Sequence, residues 1–142
     1  MKRSRLSAGG LSLGVVALAL LGGGALPSEE VPPEGIVIGR MPIEGLEGME
    51  AIAVYRELPG GAESGWHEME AGSEVVYIQE GSVVLEVRDQ DALTVEAGQT
   101  FTTVAGQVHN VKNASAEEVV KAVAFYIGKE GGTGADVLVM VE

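Results

Sequence analysis

From Gly35 onward the chain is a succession of short runs rich in Val, Ile, Thr and Tyr, broken by Gly, Asp or Asn. No feature constrains its fold more. Strands are expected at 36–41, 51–58, 74–80, 83–88, 92–95, 100–104, 119–127 and 137–141. Side chains alternate across a strand, so Val83, Leu85 and Val87 share one face while Val84, Glu86 and Arg88 share the other. Residues Val75 to Val87 read as a hairpin around Glu80-Gly81-Ser82, with Gly81 supplying the positive φ. Asp89-Gln90-Asp91 and Gly98 mark the next two turns, and the Asn113 side chain reads as the tie of another. Helical periodicity is missing, and no fixed-period repeat suggests a solenoid or propeller. Many short strands with turn signals about every 8–12 residues point to an all-β sandwich or barrel.

A chain of 142 residues is enough for one domain. With 46% hydrophobic residues it can build a core without disulfides, and it has no cysteine to form them. Thiolate catalysis and Cys-based zinc sites are excluded with it. The N-terminus reads as an address. Lys2, Arg3 and Arg5 precede the apolar stretch Leu11 to Leu21, and Gly23-Gly24-Ala25 supplies the small residues of a cleavage site. Residues 1–25 are thus a secretory signal peptide or an uncleaved anchor, since no charge interrupts Leu6 to Ser28. Either reading places the rest outside the cytoplasm, periplasmic or extracellular. Residues 26–35, rich in Pro and Glu, form a linker, and 36–142 the folded domain. The formal charge is −12 with only nine Lys and Arg in the whole chain, three of them in the leader. Such a surface repels nucleic acid, and it limits membrane contact to the N-terminal segment.

The chemistry has few candidates. The chain has only two histidines, His67 and His109, and Glu74 follows the first across a short turn. Adjacent antiparallel strands would bring His67 and Glu74 to the same inner face. Around these residues two motifs appear. In the first, Gly61, His67, Glu74 and Gly81 stand in order. In the second, Gly98, Gly106, His109 and Asn113 do so. This spacing resembles the two motifs of the cupin superfamily, and the likeness covers Gly61 to Asn113, with matching strand pattern on both sides. The chain departs from the pattern twice. Met69 stands where the first motif has a second histidine, and Val104 where the second has a proline.

The resemblance implies a double-stranded β-helix, the jelly-roll barrel of a small single-domain cupin, and a homodimer. It also implies a divalent metal ion (Fe, Mn, Zn, Ni or Cu) held by His67, Glu74 and His109. Two imidazoles and one carboxylate suit such ions. Met69, two residues from His67, should share its face. Its thioether is either a soft ligand that biases the site toward copper or simply core packing. Glu68 and Glu70 then face away, and Trp66 points to a rim or interface. Tyr77, Phe101, Phe125 and Tyr126 are expected in the core or lining the barrel. Two functions are compatible with this set. One is a metal-dependent oxidoreductase, dioxygenase-like, or an isomerase acting on a small molecule. The other is a non-catalytic module with a degenerate site that binds a metal or small ligand.

Overall fold

A computed structural model describes residues 31–70, 72–132 and 138–142. The expected signal segment at 1–25 and the first half of the linker lie outside the described residues, as does the second half of the glycine-rich 131–134 stretch. The described residues form ten strands and no helix: β1 (Ile36–Pro42), β2 (Met49–Leu58), β3 (His67–Met69), β4 (Ser73–Glu80), β5 (Ser82–Val87), β6 (Leu93–Glu96), β7 (Thr100–Val104), β8 (His109–Asn113), β9 (Val120–Lys129) and β10 (Leu138–Met140). They build two five-stranded antiparallel sheets, β1-β2-β9-β4-β7 and β10-β3-β8-β5-β6. This is the all-β jelly roll that the strand pattern and motifs led us to expect.

Alternation sets the inner face of each sheet. Val76 and Ile78 of β4, Phe101 of β7, and Val120, Ala122 and Ala124 of β9 point inward from the first sheet. Val83 and Leu85 of β5 and Val95 of β6 meet them from the second. A smaller cluster of Ile52, Val54, Met69 and Tyr126, backed by Val37 and Leu138, continues the interior past this core. Burying each large aliphatic side chain contributes about 1.5–3 kcal/mol.

Two expectations need correction. Residues 75–87 are not a hairpin: β4 pairs with β7 and β9, whereas β5 pairs with β6 and β8. The Glu80-Gly81-Ser82 corner instead carries the chain from one sheet to the other. A turn signal announces a change of direction but not which strand will be the partner. Tyr77 and Phe125 also lie outside the core, 38% and 49% exposed on the outer face of the first sheet, whereas Phe101 and Tyr126 are buried. Parity decides this: Tyr77 and Phe125 alternate with the inward residues of β4 and β9.

Asn113, at the end of β8, holds the loop between β2 and β3. Its Nδ2 donates toward the carbonyls of Leu58, Pro59 and Glu118 at 2.7–3.0 Å, and its Oδ1 accepts from the Ser115 N–H at 2.8 Å. The loop then crosses the outside of β8, with Gly61 N–H donating to Ser115 O and Ser64 N–H to Val111 O. That path delivers His67 to the start of β3.

The corner at Gly81 gives a direct test. Gly81 has φ of 81°, and a Cβ there would lie 2.9 Å from Val120 Cγ2. Gly81→Ala should cost about 1–3 kcal/mol from the backbone strain alone. An unchanged urea midpoint would contradict this reading of the corner.

Candidate functional site

The two histidines come from neighbouring strands of the second sheet. β3 is three residues long and meets β8 through one register pair, His67 opposite His109. Both side chains point inward, 5% and 0% exposed, and their ring centroids are 4.2 Å apart with planes tilted by 56°. Forty-two positions of chain separate them, and the sheet brings them into contact.

Both rings are anchored in the same way. His67 Nδ1 lies 2.8 Å from the Gly65 carbonyl, and His109 Nδ1 lies 2.9 Å from the Gln107 carbonyl, in each case two residues back along the chain. A carbonyl can only accept, so each Nδ1 carries the hydrogen and each Nε2 is left with its lone pair. His109 Nε2 is buried and finds no hydrogen-bond partner among the described residues. A buried acceptor without a partner costs about 1–3 kcal/mol. Burial depresses the pKa of His109, and the neighbouring His67 adds to this. The Gln107 carbonyl and Glu74 act in the opposite direction. The imidazole is therefore neutral at physiological pH, the form that ligates a metal.

Glu74 is also inside, 4% exposed, but not as the sequence suggested. It sits on β4 of the first sheet, opposite Thr103 of β7 and Tyr126 of β9, while His67 lies on the second sheet. The acid and the imidazole are not on adjacent strands, because β3 and β4 belong to different sheets. Thr103 Oγ1 reaches Glu74 Oε1 at 3.5 Å and Met69 Sδ at 3.8 Å. Among the described residues, no group of three His, Asp or Glu side chains forms a ready metal cage. The donors present fit a divalent ion in chemistry: two imidazoles whose Nδ1 atoms face backbone carbonyls, and a buried carboxylate across the interior.

Met69 shares the inward face of His67, as alternation required, and is 1% exposed among Ile52, Val54 and Tyr126. Glu68 alternates outward in the regular β3–β10 register, and Glu70, just past the strand, is exposed. Trp66 lies outside with the Arg88 guanidinium 6.0 Å from its ring centre. The sequence reading did not single out Thr103. Its signal was inward parity beside Phe101 in β7, together with a polar side chain at a core position.

Comparison with known proteins agrees with this architecture. Residues 54–126 match the family model described as Cupin domain. The β-alanine degradation protein BauB of Pseudomonas aeruginosa is 36% identical over 81 residues, which cover 56% of this chain and 85% of BauB. A protein of Klebsiella pneumoniae with a double-stranded β-helix domain superposes with a TM-score of 0.59 at 18% identity, covering 82% of this chain and 90% of its own. Oxalate oxidase, solved with the substrate analogue glycolate, superposes with a TM-score of 0.52 at 18% identity over 66% of this chain and 46% of its own. At such identity the structural likeness is one of fold.

The depressed His109 pKa fixes a sign for pH dependence. In the unfolded chain the ring takes a proton near pH 6.5, whereas in the folded chain it resists until lower pH. Its neutral burial is therefore tolerated above about 6.5 and opposes folding as pH falls below that value. In metal-free protein, His109→Gln should lose less stability than the wild type between about pH 7.5 and 5.5. Parallel losses in urea titrations would contradict the assignment.

Proposed function

Because the chain belongs to the cupin family, we propose that it is an exported cupin-domain protein with a mononuclear divalent-metal pocket, acting on a small molecule. The observation that carries this reading is the His67–His109 pair, with both Nδ1 atoms on backbone carbonyls and His109 Nε2 buried without a partner. His67 and His109 would hold the ion, with Glu74 the carboxylate nearest to serving as a third donor. A bound divalent ion would supply Lewis-acid polarisation of a substrate oxygen, or redox chemistry if it is iron, manganese or copper. The chain's own contribution is to hold both rings by their Nδ1 atoms and to favour the neutral form of His109 by burial. Their enzymatic form is a dioxygenase-like oxidoreductase or an isomerase. BauB, named for β-alanine degradation, makes β-alanine and similar small amino acids the first ligands to test.

A second reading is favoured by Met69. Packed among Ile52, Val54 and Tyr126, it occupies the place of a fourth ligand with an apolar side chain. A pocket with fewer donors suits a non-catalytic module that captures a metal or small ligand. Oxygen uptake by metal-loaded protein supports the enzyme; tight ligand binding without turnover supports the module.

Protein loaded in turn with Fe, Mn, Ni, Cu and Zn should take up about one equivalent of at least one ion, with affinity falling as pH drops because protons compete with the ion for the ligands. His109→Ala should weaken binding at least about tenfold, and Met69→His should strengthen it about tenfold. Equal metal content in wild type and His109→Ala would remove the basis of the proposal.

The surface supports a homodimer. The outer face of the first sheet presents Met41, Val75, Tyr77, Val104, Phe125 and Ile127, all exposed, on a chain otherwise rich in acids. Met41, Val75, Phe125 and Ile127 of this face, with Gly39, Ala51 and Ala53, line a shallow depression of about 510 Å³. A two-fold axis would lay this apolar face of one copy against the same face of the other, as an isologous interface does. Phe125→Glu should convert a dimer into a monomer in sedimentation velocity, and a wild-type monomer would contradict the pairing. Export, with residues 1–25 as the signal or anchor, is part of the same proposal. Finding the native protein in the cytoplasm would refute it.

A further inference from the structure

Behind the imidazole pair, on the outer side of β8, lies a polar network that neither motif includes. Asn110 follows His109 and points the other way, yet it is 1% exposed because the 59–66 loop covers it. Its Nδ2 donates to Glu63 Oε2 at 2.7 Å and to Glu86 Oε2 at 3.2 Å. Lys112, two residues on, balances the same carboxylates, with Nζ 3.0 Å from Glu86 and 3.7 Å from Glu63. Ser64 is fixed beside them. Its Oγ accepts from the Val111 N–H at 2.9 Å, and its hydrogen is within reach of Asn110 Oδ1 at 3.3 Å and of the Gly65 carbonyl at 3.1 Å.

That last carbonyl links the network to the site. Gly65 O is the acceptor that holds His67 Nδ1 at 2.8 Å. The Ser64 hydroxyl has a single hydrogen, shared between the Gly65 carbonyl that also accepts from the His67 ring and Asn110 Oδ1, while Asn110 Nδ2 holds the preceding Glu63. We propose that Ser64 and Asn110 are positioning residues that lock the Gly65 carbonyl against His67 and so present His67 Nε2 to the site. This rests on reading the pair as a ligand site, and extends it to residues that touch no ligand. The two imidazoles are then held by different devices. The Gln107 carbonyl behind His109 lies in a separate turn, where Gln107 N–H donates to the Val104 carbonyl at 3.1 Å. The network should therefore act on one ring and spare the other. Partners that orient a ligating histidine in this way typically change metal affinity about 10–100-fold when removed.

The test uses full-length protein labelled with ¹⁵N-histidine, observed without metal at about pH 7.5, above the ordinary histidine pKa, and titrated separately with zinc. In the wild type His67 should give the signature of a single tautomer with hydrogen on Nδ1. In Ser64→Ala and Asn110→Ala it should move toward a mixture of tautomers, and zinc affinity should fall about tenfold. The His109 signature should stay as in the wild type, and Ser64→Thr, which keeps the hydroxyl, should restore both readouts. An unchanged His67 tautomer and unchanged zinc affinity in both variants would overturn the proposal. So would equal perturbation of both histidines accompanied by a lowered melting temperature, which is what a merely structural network would give. If Asn110→Ala does not fold, Ser64→Ala decides alone. If the wild type binds no zinc, the ligand-site reading loses its support for that ion, while the tautomer readout still decides whether the network positions His67.

Discussion

A single cross-strand pair, His67 opposite His109, joins β3 and its edge neighbour β10 to the rest of the second sheet. The physical demand at this pair is severe. Two imidazoles lie in contact, both buried, and burial opposes charging of His109. The fold meets the demand by giving each Nδ1–H a backbone carbonyl. The loop ties of Asn113 and the sheet-switching corner at Gly81 serve to bring these two short strands into register.

The division of labour follows from that. The aliphatic cluster of β4, β5, β6, β7 and β9 stabilises the barrel, and the histidines lie beyond it, next to Met69, Ile52 and Tyr126. Stability and chemistry are therefore carried by different layers of one interior. Glu74 and Thr103 bring polar groups into this region from the opposite sheet, so the site is assembled between sheets and not along one strand pair.

How much of this was legible in the sequence depends on what each strand buries. Eight strands announced themselves by alternation, because their inward residues are apolar and their outward ones polar or mixed. β3 and β8 did not. Their inward residues include histidine and asparagine, so the usual contrast between faces is absent where the chemistry lies. Motif spacing recovered His67 and His109 even so. Asn110 left no such trace: only the overlying loop makes it buried, and that loop's path is a tertiary property. Tyr77 and Phe125 were misplaced for a related reason. Their hydrophobicity suggested the core, whereas strand parity put them outside, on a face whose uncharged character is itself informative. Gly81 likewise marked a turn correctly while hiding a crossing between sheets.

The central claim is that the Nε2 atoms of His67 and His109 converge on one ligand. X-ray absorption spectroscopy of the zinc-loaded protein tests it most directly. The account predicts two imidazole nitrogens in the zinc shell, at about 2.0–2.1 Å, with oxygen donors completing it. A shell made of oxygen donors alone, with no imidazole scattering, would contradict it.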